Sequence, residues 1–357
     1  MKKVHRRSVA LLTIVMQAAA CGSPAQVANP SASNSTSVSP SPVATTVPPV
    51  ATASPTPISL PTSAHLSPSA GNIVWVLVGE LLLFRSINRG DTWEQRGLPS
   101  AAASGIGPLK ELSFVSDHEG WVSIAGSPAT QCQQQSLRIW HTTDAGVSYQ
   151  QIPETGSIVG SAPSGISGAQ CKSGLYFSDP LHGFIGAWDP NSAPVIYRTN
   201  DGGLTWQASA RVPDPPGFKT QGGGFTLRPG PVRAFGSTLL LAASGLSNGT
   251  PFEYVFRSTD GGASWAHLAT AQSTDTRIVF VTATRWLRIG APGESVETTD
   301  AGTNWHAFDT DYAQAAPVAP EVVFGDAQTG YATVRGQLKR TLDGGAHWTD
   351  IKTPGTG

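Results

Sequence analysis

Arg257-Ser258-Thr259-Asp260-Gly261-Gly262-Ala263-Ser264-Trp265 is the stretch whose reading decides the fold. Its form is Ser/Thr-x-Asp-x-Gly-x-Ser/Thr-Trp. In such a stretch the Asp side chain accepts hydrogen bonds from backbone N–H groups just after it. The Gly takes a positive φ that closes a hairpin, and the next hydroxyl caps a further backbone group. The Trp opens the following strand as a large apolar plug. The form recurs at Ser86–Trp93 (with Asn88 in the Asp position), Thr142–Tyr149, Thr199–Trp206, Thr298–Trp305 and Thr341–Trp348. Asn88, Asp144, Asp201, Asp260, Asp300 and Asp343 are thus expected to be structural turn residues. One carboxylate per turn is too few oxygens for calcium, so no metal is expected there.

Upstream of the turns lies a second recurrent signature, clearest in Phe114-Val115-Ser116-Asp117-His118-Glu119-Gly120-Trp121. Phe177 to Gly183-Phe184, Phe324 to Gly330-Tyr331 and Phe280 to Arg285-Trp286 keep the same step. Each reads as one strand, a tight turn, and a second strand that begins on an aromatic. A unit therefore runs strand A, turn, strand B, loop, strand C, Asp turn, strand D. Four antiparallel strands at this spacing make a propeller blade. The prediction is an all-β protein with a single β-propeller of six blades over 64–97, 111–152, 174–208, 224–269, 277–308 and 321–352. A seventh, hidden in 207–256, is the alternative.

The Asp turns resemble BNR (Asp-box) repeats. Their pairing with Phe-x-x-Asp-x-x-Gly-Trp resembles the photosystem II assembly and stability factor-like propellers over residues 64–352. That resemblance implies a partner-binding propeller whose arginine patch docks a protein. Sialidases, xyloglucanases and sortilin-type receptors share the Asp turn, so the likeness speaks to fold more than to activity.

The chain opens on Lys2, Lys3, Arg6 and Arg7, then a short apolar core, then Ala18-Ala19-Ala20 before Cys21. Residues 1–20 read as a signal peptide. The small residues before Cys21 resemble a bacterial lipoprotein signal, although Ala18 stands where that family has Leu; a plain secretory signal is the other reading. Lipidation at Cys21 would anchor the chain on the outer side of the cytoplasmic membrane, in the cell envelope. Residues 21–63, rich in Pro, Ser, Thr and Ala, form a disordered tether to the 64–357 propeller. In that compartment Cys132 and Cys171 are expected to form a disulfide. Only 13% of residues are charged, and the net charge of -1 excludes nucleic acid as a partner.

In an A-B-C-D blade the A–B and C–D turns share one face, and the B–C and D-to-A connections share the other. The long segments 126–136, 153–173, 187–195, 209–223 and 243–253 fall on this second face, where binding sites collect. Candidate contacts there are Trp188, Asp189, Gln133, Gln134, Gln135, Asn191, Arg211, Lys219, Gln221, Asn248 and Glu253. Trp188 is either an exposed platform or packed under a neighbouring loop. On the Asp-turn face Arg85, Arg198, Arg257 and Arg340 either dock an acidic peptide or cover aromatic rings.

No catalytic residue is assigned. The Arg-Ile-Pro element of sialidases is missing. Nothing shows that any two of Asp189, Asp214 and Glu253 converge as hydrolysis requires. The eight His lack metal-ligand spacing, and no cofactor motif occurs. The expectation is a monomeric, non-catalytic envelope protein that binds a protein or polysaccharide. The alternative is an extracytoplasmic glycoside hydrolase of sialidase or xyloglucanase type.

Overall fold

Each repeated Ser/Thr-x-Asp/Asn-x-Gly stretch joins the third and fourth strands of a four-stranded antiparallel sheet in the computed structural model. The structure describes residues 57–99, 110–126, 135–152, 165–220, 226–272, 276–290, 293–312 and 320–357. These lie in one unit, and no helix occurs among them. Blade 1 holds β1 (Ala64–Ala70), β2 (Ile73–Val78), β3 (Leu82–Ser86) and β4 (Glu94–Arg96). Blade 2 holds β5 (Lys110–Phe114), β6 (Gly120–Ala125), β7 (Leu137–Thr142) and β8 (Gln150–Ile152). Blade 3 follows with β9 (Cys171–Phe177), β10 (Gly183–Asp189), β11 (Ser192–Thr199) and β12 (Gln207–Ala208). Blade 4 has the longest strands: β13 (Arg228–Phe235), β14 (Thr238–Ser247), β15 (Thr250–Ser258) and β16 (Ala266–Gln272). Blade 5 comprises β17 (Val279–Phe280), β18 (Trp286–Arg288), β19 (Val296–Thr298) and β20 (His306–Ala307). Blade 6 ends the fold with β21 (Glu321–Phe324), β22 (Gly330–Val334), β23 (Gln337–Thr341) and β24 (Thr349–Ile351). The molecule is a six-bladed β-propeller.

The Asp turns close by one repeated set of bonds. The leading Ser/Thr hydroxyl donates to the Asp or Asn oxygen at 2.7–2.9 Å and accepts the N–H of the second Gly-position residue at 2.8–3.0 Å. The Asp oxygen then takes the N–H of the residue four positions on, at 2.8–3.0 Å. Two successive residues, not one, have positive φ. In addition to the expected Gly, the position before it lies at 57–74°, occupied by Arg89, Ala145, Gly202, Gly261, Ala301 and Gly344. The reason is visible in five blades. There this residue's N–H is turned onto a carbonyl of the A–B turn: Asn72, His118, Leu181, Thr284 and Gln328 accept from Arg89, Ala145, Gly202, Ala301 and Gly344.

The Phe/Gly signature has an equally local cause. Phe114 faces Gly120 across β5 and β6, Phe177 faces Gly183, and Phe324 faces Gly330. The Phe ring lies over the bare glycine; a Cβ on Gly120 would stand 2.1 Å from Phe114 Cδ1. The rings of Phe114 and Phe177 then stack at 3.7 Å on the strand-B tryptophans of the preceding blades, Trp75 and Trp121. One motif thus packs a blade internally and against its neighbour.

The ring closes through the chain ends. β1 lies beside β21 and β22. Residues 57–63, which the sequence assigns to the tether, run along the junction of blades 1 and 6. Ile58 pairs in parallel with Thr356 and donates to the Gly355 carbonyl at 2.8 Å; Thr62 N–H reaches Arg335 O at 3.1 Å. On the Asp-turn face Arg340 of blade 6 bonds Arg89 O and the Asp91 carboxylate of blade 1 at 2.8 and 2.7 Å.

Two of the five segments expected to be long loops are not loops. Residues 187–195 are strand ends around a two-residue turn, with Asp189 paired to Ser192. Residues 243–253 are extended strands around Asn248-Gly249, both at positive φ, the hairpin turn that an Asn-Gly pair favours. Among the described residues of 207–256 there is no seventh blade.

Candidate functional site

Five inter-turn hydrogen bonds put the Asp turns and A–B turns on one face, so the inner strands begin on the other. Each of them starts with charge. His65 is second in β1, Lys110 and Glu111 open β5, and Lys172 is second in β9; Arg228 opens β13, Arg277 precedes β17, and Glu321 opens β21. Charged residues are rarely buried without partners, so this ring of charge around the mouth is the candidate site.

Blades 6, 1 and 2 supply its acidic half. His65 Nε2 lies 2.6 Å from Glu80 Oε1, and Nδ1 lies 3.6 Å from Glu321 Oε2, the former a hydrogen bond and the latter a charge contact. Glu321 and Glu80 together raise the imidazole to about 10, which keeps it charged at neutral pH. Glu80, despite partial burial, is held below the ordinary carboxylate value by His65. Lys110, buried, donates its ammonium to the Glu80 carbonyl. Glu111 accepts the N–H groups of Gly174 and Leu175, each at 2.8 Å, which clamps blade 2 to blade 3; its burial nevertheless raises its pKa.

Blades 3, 4 and 5 supply the cationic half. Lys172 is buried and gives its ammonium to the carbonyls of Gln135 and Gln170 at 2.7 and 2.6 Å; burial pushes it down to about 7. The Arg228 guanidinium lies over the Trp188 ring, 4.8 Å from its centroid. Glu253, raised by burial, accepts Ile278 N–H at 2.7 Å in the neighbourhood of Arg288 and Arg277.

The residues chosen from sequence are scattered by the structure. Trp188 is half-buried on the mouth face, with Arg228 above it. Asp189 caps its own turn through Asn191 N–H at 2.8 Å and the Ser192 hydroxyl. Asp214 is bonded to Thr220, and Glu253 to Ile278, so these carboxylates are each committed to a local partner. Gln135 is buried, and Arg211 bonds Ala193 O. Of the rim arginines, Arg340 spans the seam, Arg198 bonds Gln207, and Arg257 is exposed. Arg85 lies 5.9 Å from the Trp75 ring and bonds Asp117 O at 2.6 Å. The six Asp-turn residues hold their turns as described. Cys171 opens β9; Cys21, Cys132, Gln133, Gln134 and Gln221 lie outside the described residues.

His65, Glu80, Glu111, Glu321 and Arg228 were not singled out from sequence. The available signal was the charged residue at or beside the start of each inner strand. Two open hollows occur away from this mouth. One of about 410 Å³ is lined by Arg89, Asp326, Ala327, Gln328, Thr329 and Leu342, and one of about 230 Å³ lies by Trp140 and Tyr149. Among the described residues, no group of three His, Cys, Asp or Glu is placed to hold a metal.

No family model matches the chain, and no curated protein sequence matches it significantly. Solved structures share its fold. A Hadza microbial sialidase is 16% identical over 79% of this chain and 66% of its own, with a TM-score of 0.52. A Penicillium chrysogenum alpha-L-arabinanase complexed with arabinobiose is 13% identical over 81% and 92%, with a TM-score of 0.51. YCF48 from Cyanidioschyzon merolae is 20% identical over 82% and 87%, with a TM-score of 0.44. At these identities the likeness to the sialidase and the arabinanase is one of fold alone.

Proposed function

We propose that this chain is a lipid-anchored, extracytoplasmic β-propeller that binds a protein or polysaccharide of the cell envelope as a non-catalytic scaffold, related in kind to assembly-factor propellers. In this reading Cys21 carries the lipid, residues 21–56 are the spacer, and Cys132 and Cys171 form a bridge on the mouth face.

One observation carries the non-catalytic part. The His65 side chain stands between Glu80 and Glu321, in contact with both. A retaining glycosidase needs its two carboxylates about 5 Å apart with the scissile bond between them. Here Glu80 and Glu321 are both engaged by one charged imidazole, and the third carboxylate, Glu111, spends both oxygens on backbone amides. The competing hydrolase reading draws on the same convergence of Glu80, Glu111 and Glu321 at one mouth. The test is to incubate the full-length protein with envelope polysaccharide and with fluorogenic sialosides and glucosides. Retention without release of reducing ends or fluorophore is expected. Turnover that Glu80→Gln or Glu111→Gln abolishes would replace the scaffold reading with the hydrolase.

A further inference from the structure

The cationic half of the mouth holds a side chain that the fold itself does not use. Most arginines among the described residues are engaged: Arg85, Arg89, Arg96, Arg198, Arg211, Arg285, Arg288 and Arg340 each donate to a carbonyl or carboxylate. Arg228 is exposed and opens β13, and its side chain makes no hydrogen bond to the described residues; its contact is the face of Trp188. Stacking on an indole fixes the plane of a guanidinium and leaves its N–H edge directed outward, the geometry that suits a carboxylate.

The surroundings hold this arrangement open. Asp189, the residue after Trp188, is an obvious counter-ion, yet both its oxygens are turned to Asn191 and Ser192. Trp188 itself is held in register against Cys171 of the inner strand. The segment leading into β13 is fixed to blade 3 by the Thr226 hydroxyl on Ser192 O at 2.9 Å. On the next blade Arg277 adds a second exposed cation at the same mouth.

We infer that Trp188 and Arg228 form a carboxylate subsite for an acidic polysaccharide, with hexuronic acid residues as the ligand class. A hexuronate carries its carboxylate one bond from an apolar C–H ring face. One sugar residue therefore meets both the guanidinium edge and the uncovered part of the indole. A polymer then continues past Arg277 along the open face. This deepens the scaffold reading above and rests on it.

The test is calorimetric titration of the full-length protein with oligogalacturonate, neutral cello-oligosaccharide and poly-L-glutamate. Oligogalacturonate is expected to bind and the neutral sugar not to. Arg228→Gln is expected to weaken the acidic sugar at least about tenfold, and Trp188→Phe to weaken it by less. Arg257→Gln, on the opposite face, removes the same charge and is expected to leave binding unchanged. Absence of oligogalacturonate binding, indifference to Arg228→Gln, or equal loss in Arg257→Gln overturns the subsite. Tighter, Arg228-dependent binding of poly-L-glutamate also overturns it and reassigns the face to an acidic protein segment. Envelope retention that persists without oligogalacturonate binding separates failure of this subsite from failure of the scaffold reading.

Discussion

Asp144, Asp300 and Asp343 are held at about 2 by the groups around them. Asp144 owes this first to the Ser148 hydroxyl and Asp300 first to the Asn304 amide. Asp343, against a desolvation cost, owes it to His347. A carboxylate depressed by folding adds stability above its unfolded value near 4, and that stability is lost as pH falls through the folded value. The unfolding temperature is therefore expected to drop steeply between about pH 4 and pH 2. Circular dichroism melts across that window check it, and replacing the three with Ala is expected to flatten the dependence. These residues were legible because their chemistry is local: each bonds within a few positions of itself. What the motif did not disclose is that the residue before the Gly is also left-handed, since three of the six are Arg89, Ala145 and Ala301. A second check sits at Gly203, where φ is 97° and a Cβ would stand 3.0 Å from Ile152 Cδ1. Gly203→Ala is expected to cost about 1–3 kcal/mol in urea unfolding.

At the scale of strands, pattern reading worked where partners are neighbours in sequence. The Phe-to-Gly step placed the start of β6 within a residue of its observed position, because Phe114 and Gly120 are opposite each other in one hairpin. Gly120→Ala is accordingly expected to destabilise by about 1–3 kcal/mol, with the Trp75–Phe114 stack displaced; near-ultraviolet circular dichroism reports the ring. Pattern reading failed in the middle of the chain. Residues 243–253 look polar and irregular, yet Asn248-Gly249 is a strong hairpin signal that length and polarity obscured. The same holds for Asp189, whose side chain suggests a contact residue but instead terminates β10.

Across the whole propeller, the candidate site was the least legible part. Glu321 reaches the His65–Glu80 pair of blade 1 only because the first and last blades meet, and no local pattern pairs residues from the two ends of a fold. Their contact also makes a prediction. A histidine raised by folding contributes stability that is complete below its unfolded value and fades as pH climbs through the folded one. The seam should therefore weaken between about pH 6.5 and pH 10, and His65→Gln should remove that alkaline slope from the melts. Deleting residues 57–63 removes the backbone bonds from Ile58 to Gly355, Thr62 to Arg335 and Gly79 to Ser63. At about 1 kcal/mol each, the loss is expected to reach about 3 kcal/mol by denaturant titration, so a soluble fragment should begin no later than Pro57.

The meeting of the two ends also bears on how the chain can be rewired. Pro57 and Gly357 are in contact, since a Cβ on Gly357 would stand 2.9 Å from Pro57 Cβ. A short linker joining them, with new ends opened at Gly236-Ser237 where the hairpin has free space around it, gives a circular permutant in which the strands of the described residues keep their partners. Blade order would then be a matter of connectivity alone, and the present first blade would become an interior one.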